Sequence, residues 1–253
     1  MECRPTVKNI YDFIDSIAPF ETQCEWDNSG LLVGDSCREI SKIGVVLDIT
    51  SDAIKYAAER GIELIICHHP VIFRPVKAFL EGDIPYELAV NGISAICAHT
   101  SLDKARGGVN DALADTLGFK NPLPLTESGE TSMIRKVVIE ETEADSLAML
   151  VADRLSTGVQ LADCGKTIDT VALCGGAGGD FIHAVAESGC DAFITGEAKH
   201  HEFLAAKGLG VTLIAAGHFE TENPVVAVIA DKIRENFECE VEIIPQKSPV
   251  EYY

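Results

Sequence analysis

Apolar and polar positions alternate along this chain in blocks that switch between two periods. Ile10, Phe13, Ile14 and Ile17 recur at helical spacing and stop before Pro19, which predicts an amphipathic helix. Residues 42–49 form a short apolar run ending in Asp48, read as a buried strand, and Ser51 is the expected N-cap of a helix that runs to Gly61. Further strands are predicted at 64–67, ending in His68-His69-Pro70, and at 94–98, ending at His99. A helix is expected to end near 87–91 and another to span 109–117, closed by Gly118. After a polar, proline-containing stretch at 121–130 the pattern restarts. Strands are expected at 134–140, 170–174, 192–195, 211–215 and 241–244, and helices at 146–155, 180–188 and 224–237. Strands alternating with helices predict βαβ units, hence an α/β fold of two lobes with mainly parallel sheets. The expected division is 1–126, carrying His68, His69 and Asp103, and 127–253, carrying His218 and Glu222.

Composition narrows the function classes. Twenty Lys and Arg stand against forty Asp and Glu, a formal net charge of −20. A field of that sign opposes binding to nucleic acid or to an anionic membrane surface. A small anionic substrate stays compatible, because a local metal or cationic site overrules the global field. Apolar runs such as 211–216 and 225–230 fall far short of the roughly 20 residues that span a bilayer. The acidic first turns do not read as a secretory signal. Nine cysteines are an odd number without zinc-ribbon or redox-pair spacing, so a reduced, cytoplasmic protein is expected. The acidic clusters at 140–145 and 235–242 read as solvated surface.

The candidate chemistry stands at the strand ends, where parallel sheets gather ligands. One strand runs into His68-His69, another into His99-Thr-Ser-Leu-Asp103, and a third into Gly217-His218-Phe-Glu-Thr-Glu222. Imidazoles with carboxylates suit a borderline divalent ion such as zinc, manganese or iron. A carboxylate bridges two ions, so Asp103 and Glu222 are candidates for a two-metal centre with the histidines as terminal ligands. Pro70 biases His69 toward an extended conformation, and past a strand end neighbouring imidazoles can serve neighbouring ions. Cys67 is expected to turn into the core. The run Cys174-Gly-Gly-Ala-Gly-Gly179 has two readings: an anion cradle before a helix, with Lys199 as a remote phosphate partner, or a place of close backbone approach.

Six blocks carry a resemblance: Trp26–Gly34 (WDNSGLLVG), His68–Phe73 (HHPVIF), His99–Asp103 (HTSLD), Gly108–Asp111 (GVND), Thr195–His201 (TGEAKHH) and Gly217–Glu222 (GHFETE). In this order they resemble the GTP cyclohydrolase 1 type 2 family, also described as dinuclear-metal-centre proteins or as relatives of a yeast transcription-factor-interacting protein. The resemblance implies two divalent cations per subunit in a dinuclear site between the lobes, held by His68, His69, Asp103, His218 and Glu222, with Asp103 and Glu222 shared. It implies a homo-hexamer with its sites facing an internal cavity. Longer relatives carry an inserted domain, and 121–130 is where it would sit here. The family often has an aromatic residue where this chain has His200; His201 occupies the matching histidine position, and His200 is expected to face solvent. The implied activity is metal-dependent hydrolysis of a small molecule such as a nucleotide, with His201 or His99 moving protons. The alternatives are a metallohydrolase of another substrate, such as a phosphoester, or a metal-binding scaffold without turnover.

Overall fold

The first helix begins three residues earlier than its apolar spacing suggests, because Thr6 and Asn9 close a reciprocal cap. Thr6 Oγ1 accepts from the Asn9 amide at 3.2 Å and Asn9 Oδ1 accepts from the Thr6 amide at 2.9 Å. A computed structural model describes residues 4–251. Along the chain come α1 (Val7–Ile17), β1 (Gly30–Val33), β2 (Lys42–Val46), α2 (Ser51–Arg60) and β3 (Leu64–Cys67). Then follow α3 (Ile84–Val90), β4 (Ser94–Cys97), α4 (Thr100–Lys104), α5 (Val109–Leu117), β5 (Leu123–Pro124) and β6 (Arg135–Thr142). The second half continues with α6 (Ala144–Leu155), β7 (Gln160–Ala162), β8 (Ile168–Cys174), α7 (Ile182–Glu187) and β9 (Ala192–Thr195). It closes with α8 (His200–Leu209), β10 (Thr212–Ala215), α9 (His218–Glu222), α10 (Pro224–Asn236) and β11 (Glu240–Ile243). Thr50, not Ser51, caps α2, its side chain accepting from the Ala53 amide at 3.2 Å.

The chain divides into two units. The first runs from the N-terminus to Arg106 and takes back Val226–Lys247. Its five-stranded sheet has the order β1-β4-β3-β2-β11, with β4, β3, β2 and β11 parallel and β1 antiparallel at one edge. One cluster of its core packs Val46, Ile54, Ile65, Leu88 and Ile93 with Ile244 from the chain's end. Each such side chain contributes roughly 1.5–3 kcal/mol by burial.

The second unit is Gly107–Val225 with the last six residues. Its six-stranded sheet has the order β5-β6-β8-β9-β10-β7. The centre β8-β9-β10 is parallel, whereas β6 and β7 pair antiparallel on either side. Leu113, Leu117, Leu147, Val151, Val171 and Ile194 build its core.

Both units are thus α/β with parallel centres, in line with the sequence pattern. The observed division departs from a single cut between 126 and 127 in two respects. Helix α5 belongs to the second unit, because Leu113, Ala114 and Leu117 bury in that core. Strand β11 belongs to the first, pairing with β2 from Glu240↔Lys42 to Ile243↔Val45. Lys42 Nζ draws in Glu240 at 2.9 Å and Glu242 at 2.6 Å, so the acidic cluster there is partly an ion-pair seam rather than simply solvated surface.

Candidate metal centre

Three neighbouring parallel strands of the first unit end side by side, and each delivers polar groups at its carboxyl end. Strand β2 leads to Asp48, β3 to His68 and His69, and β4 to His99 followed by α4, which holds Asp103. His68 is buried. The ring centroids of His68, His69 and His99 lie 4.9, 5.1 and 5.5 Å apart. One ligand atom from each falls within 4.8 Å of the others.

Every one of the three rings is held at Nδ1. His68 Nδ1 meets the Ala98 carbonyl at 2.8 Å, His69 Nδ1 meets Asp48 Oδ1 at 2.7 Å, and His99 Nδ1 meets Asp27 Oδ1 at 2.7 Å. An imidazole that donates through Nδ1–H ligates through Nε2, and such partners orient metal-binding histidines. His68 Nε2 faces Asp103 Oδ1 at 3.6 Å. The fit to a cation therefore rests on the chemistry of the donor set.

Asp27 anchors this arrangement. Its Oδ2 accepts from the Thr100 amide at 3.0 Å and from the Thr100 hydroxyl, and its Oδ1 also accepts from the Asn28 amide at 2.7 Å. Burial pushes its carboxyl pKa up. Hydrogen bonds from His99 and Thr100, the His99 charge and the Asn28 amide outweigh that and hold it well below the ordinary carboxylate range. Beneath the pair, the Cys67 thiol donates to the His69 carbonyl at 3.1 Å and the Cys97 thiol to the His68 carbonyl at 2.9 Å. Cys67 is buried in the core, as its place in the strand alternation predicts.

In the second unit the corresponding strand ends carry glycine. His218 opens α9 and Glu222 closes it, one turn apart, with His218 Nε2 3.1 Å from Glu222 Oε2. Glu197, after β9, reaches His218 Nδ1 at 3.3 Å. Glu222 is buried. The glycine run makes room for it: a Cβ on Gly176 would lie 2.1 Å from Glu222 Oε1, and Gly176 has φ +65°. Four amides of the run are already used. Those of Gly175, Gly176 and Gly178 donate to Asn110 Oδ1, Thr221 Oγ1 and Thr195 Oγ1 at 2.7, 3.1 and 3.0 Å, and that of Gly179 to the Glu197 carbonyl at 3.2 Å. The run is a close-approach device, not an anion cradle. Lys199 Nζ lies 3.3 Å from both Asp180 and Glu202, so its charge is answered within the chain.

The structure brings His68, His69 and Asp103 together in the first unit and His218 with Glu222 in the second. It places the ring of His99, expected to move protons, beside those of His68 and His69. His201 stands on the first turn of α8, 72% exposed, beside Glu202 and Asp180; His200 is exposed too. The residues that the sequence reading missed are Asp27, Asp48 and Glu197. A carboxylate inside the Trp26–Gly34 block and another at a strand end were the available signals.

Among the described residues no helix is long and apolar enough to cross a membrane. A relative from Clostridium perfringens named GTP cyclohydrolase 1 type 2 homolog is 34% identical over 251 residues, covering 95% of this chain and 96% of its own. A Helicobacter pylori (strain J99) protein named GTP cyclohydrolase 1 type 2 is 33% identical, covering 97% and 98%. The fold matches a Staphylococcus aureus hypothetical protein, SA1388, with a TM-score of 0.90 at 25% identity over 99% of this chain and 100% of that one. Reduced HcgD from Methanocaldococcus jannaschii matches with 0.84 at 28% identity, covering 96% and 98%. The family model for Duf34/NIF3 (NGG1p interacting factor 3) matches residues 5–249, and the chain belongs to that family.

Proposed function

We propose that this chain is a divalent-metal-dependent hydrolase of the kind for which its GTP cyclohydrolase 1 type 2 relatives are named. The observation that carries the reading is the trio His68, His69 and His99, each fixed at Nδ1 so that the three rings share one locus. Asp103 adds a carboxylate beside His68, and His218 with Glu222 supplies a second imidazole–carboxylate pair. These six residues are proposed to hold two cations of the zinc, iron or manganese class. Bound there, the ions would polarise the substrate and lower the pKa of a water toward neutrality.

The chain's own contribution is orientation. Asp27, Asp48 and the Ala98 carbonyl set the tautomers of His99, His69 and His68, and the thiols of Cys67 and Cys97 hold the backbone that carries the His pair. Glu197 faces the His218 ring at Nδ1, 3.3 Å away. His201 takes no part in the proposed site. The eight described cysteines are free thiols, which supports a reducing, cytoplasmic setting. A closed homo-hexamer is proposed from the family resemblance, and light scattering that shows a stable monomer would refute it.

The test is metal content and turnover on protein purified without a metal-affinity tag. Elemental analysis is expected to find bound divalent metal, and GTP turnover is expected to vanish on chelation and return with metal. Absence of metal together with no metal-induced thermal shift overturns the reading. Tight metal binding with no turnover of any nucleotide leaves a scaffold instead.

A further inference from the structure

We propose that Trp26 and Phe73 form the face on which the heteroaromatic ring of a nucleotide substrate stacks, and that Arg74 and Lys77 receive its phosphates. This rests on the hydrolase reading above and names the residues of the first unit that choose its substrate.

Trp26 is the sole tryptophan, and it is 53% exposed; Phe73 is 43% exposed. Their ring centroids are 5.8 Å apart with planes at 51°. Both rings also contact His99, Trp26 at 6.0 Å and Phe73 at 6.4 Å, each nearly perpendicular to it at 72° and 76°. Two large aromatic faces thus border one of the proposed metal ligands while remaining open to solvent. Their placement is built. Asn28 Nδ2 donates to the Ile72 carbonyl at 2.6 Å and so ties the Trp26 loop to the Phe73 loop. Asp27, next to Trp26, holds His99 itself. Scattered exposed aromatics need no explanation, but a tethered pair beside a reactive locus marks a ligand face.

Charge selects the class of ligand. In a chain with twice as many acids as bases, the residue after Phe73 is Arg74, and Lys77 follows three positions later. Both are exposed, and neither has an ion-pair partner among the described residues. A flat ring on the aromatic pair with anionic groups on these cations describes a nucleotide. Stacking on an aromatic side chain is tolerant of base identity, so this face sets the preference for a ring and its phosphates, not for guanine over adenine.

Because Trp26 is the sole tryptophan, its fluorescence reads the site directly. Titration of metal-loaded wild-type protein with GTP, guanosine and inorganic triphosphate separates the contributions. GTP and guanosine are expected to quench the emission, and triphosphate alone is not. Trp26→Leu and Phe73→Leu should each weaken guanosine binding by calorimetry about tenfold or more. Arg74→Ala with Lys77→Ala should weaken GTP about tenfold at low salt, with the difference shrinking at high salt, and leave guanosine unchanged. Guanosine that neither quenches nor binds overturns the stacking face, as does GTP affinity unaltered in Trp26→Leu. Emission that is already blue-shifted and insensitive to every ligand, because a second copy covers the face, overturns it as well. Metal content measured on the same samples reports separately on the hydrolase reading: metal retained with no quenching sinks this inference alone.

Discussion

Replacing Asp27 with Asn keeps the shape of the side chain and removes its charge, which isolates what the carboxylate does. In the native site Oδ1 accepts from His99 Nδ1 and the Asn28 amide, and Oδ2 accepts from Thr100 N, Thr100 Oγ1 and, at 3.3 Å, Ser29 Oγ. An amide has one acceptor oxygen. Whichever way it flips, its NH2 faces donors on one side, either the His99–Asn28 pair or the Thr100 amide. Hydrogen bonds to a charged group are worth about 1.5–3 kcal/mol each, so a net loss of about 2–4 kcal/mol is expected. At roughly 2–4 °C per kcal/mol for a chain of this size, the melting point of the metal-free protein should fall by about 5–15 °C at pH 7.

The pH dependence follows from the lowered carboxyl. A group whose folded pKa lies below its unfolded value of about 4 stabilises the fold fully above that value and loses the contribution as pH falls through the folded one. The gap between wild type and Asp27→Asn should therefore be complete at neutral pH and narrow only in strong acid. Metal affinity, measured by competition with a chromophoric chelator, should drop 10- to 100-fold, roughly the cost of removing a partner that orients a ligand histidine. Scanning calorimetry that gives superimposable traces at pH 7, together with unchanged metal affinity, would refute the role assigned to Asp27.

Other expectations are narrower. Gly176→Ala, with φ +65° and a Cβ 2.1 Å from Glu222 Oε1, should cost about 1–2 kcal/mol in left-handed strain alone and weaken metal binding by displacing the carboxylate. Calorimetric titration of wild type with inorganic phosphate at the glycine run should show no binding, and a Gly176→Ala variant as stable and as metal-competent as wild type would remove the packing explanation. Asp103→Ala should lower metal stoichiometry, whereas Cys67→Ser should keep it and cost about 1–2 kcal/mol in packing and lost hydrogen bonding; equal metal loss in both would make Cys67 a ligand. His183→Ala, changing an exposed residue of α7, should alter neither.

What could be read in the sequence was whatever repeats along it. Strands β3 and β9 and helix α5 fall at their expected limits because each is an apolar run or stripe with a clear stop, such as Gly118. Strands β1 and β7, of four and three residues with mixed burial, give no run to detect, and α4 and α9 are five residues each, too short for a helical period. Yet those two short helices place Asp103 and Glu222. The histidines were visible because parallel strands end there. Their carboxylate partners were not, since His99 finds Asp27 across 72 positions and His69 finds Asp48 across 21. The strand order β1-β4-β3-β2 brings those positions together, β1 carrying Asp27 to the end of β4 and β2 carrying Asp48 to the end of β3. Strand β11 is legible in the sequence as a strand but not as part of the first sheet, because an isolated apolar run carries no record of its neighbour.

The return of β11 to β2 has a consequence for biosynthesis. Translation delivers the chain from its amino end, at about 5–20 residues per second. When residue 106 leaves the ribosome, the first sheet still lacks a strand that lies more than half the chain downstream. All six strands of the second sheet are present by Ala215, so the later-synthesised sheet is the first to have its full set. Until Glu240–Ile243 emerges, the β2 edge of the nascent first sheet, with Ile43 and Val45 on it, has no neighbour to pair with. The sheet whose strand ends carry His68, His69 and His99 is thus the last to be completed, and its exposed edge is the point at which a nascent chain of this protein is open to chaperones or to mispairing with its own copies.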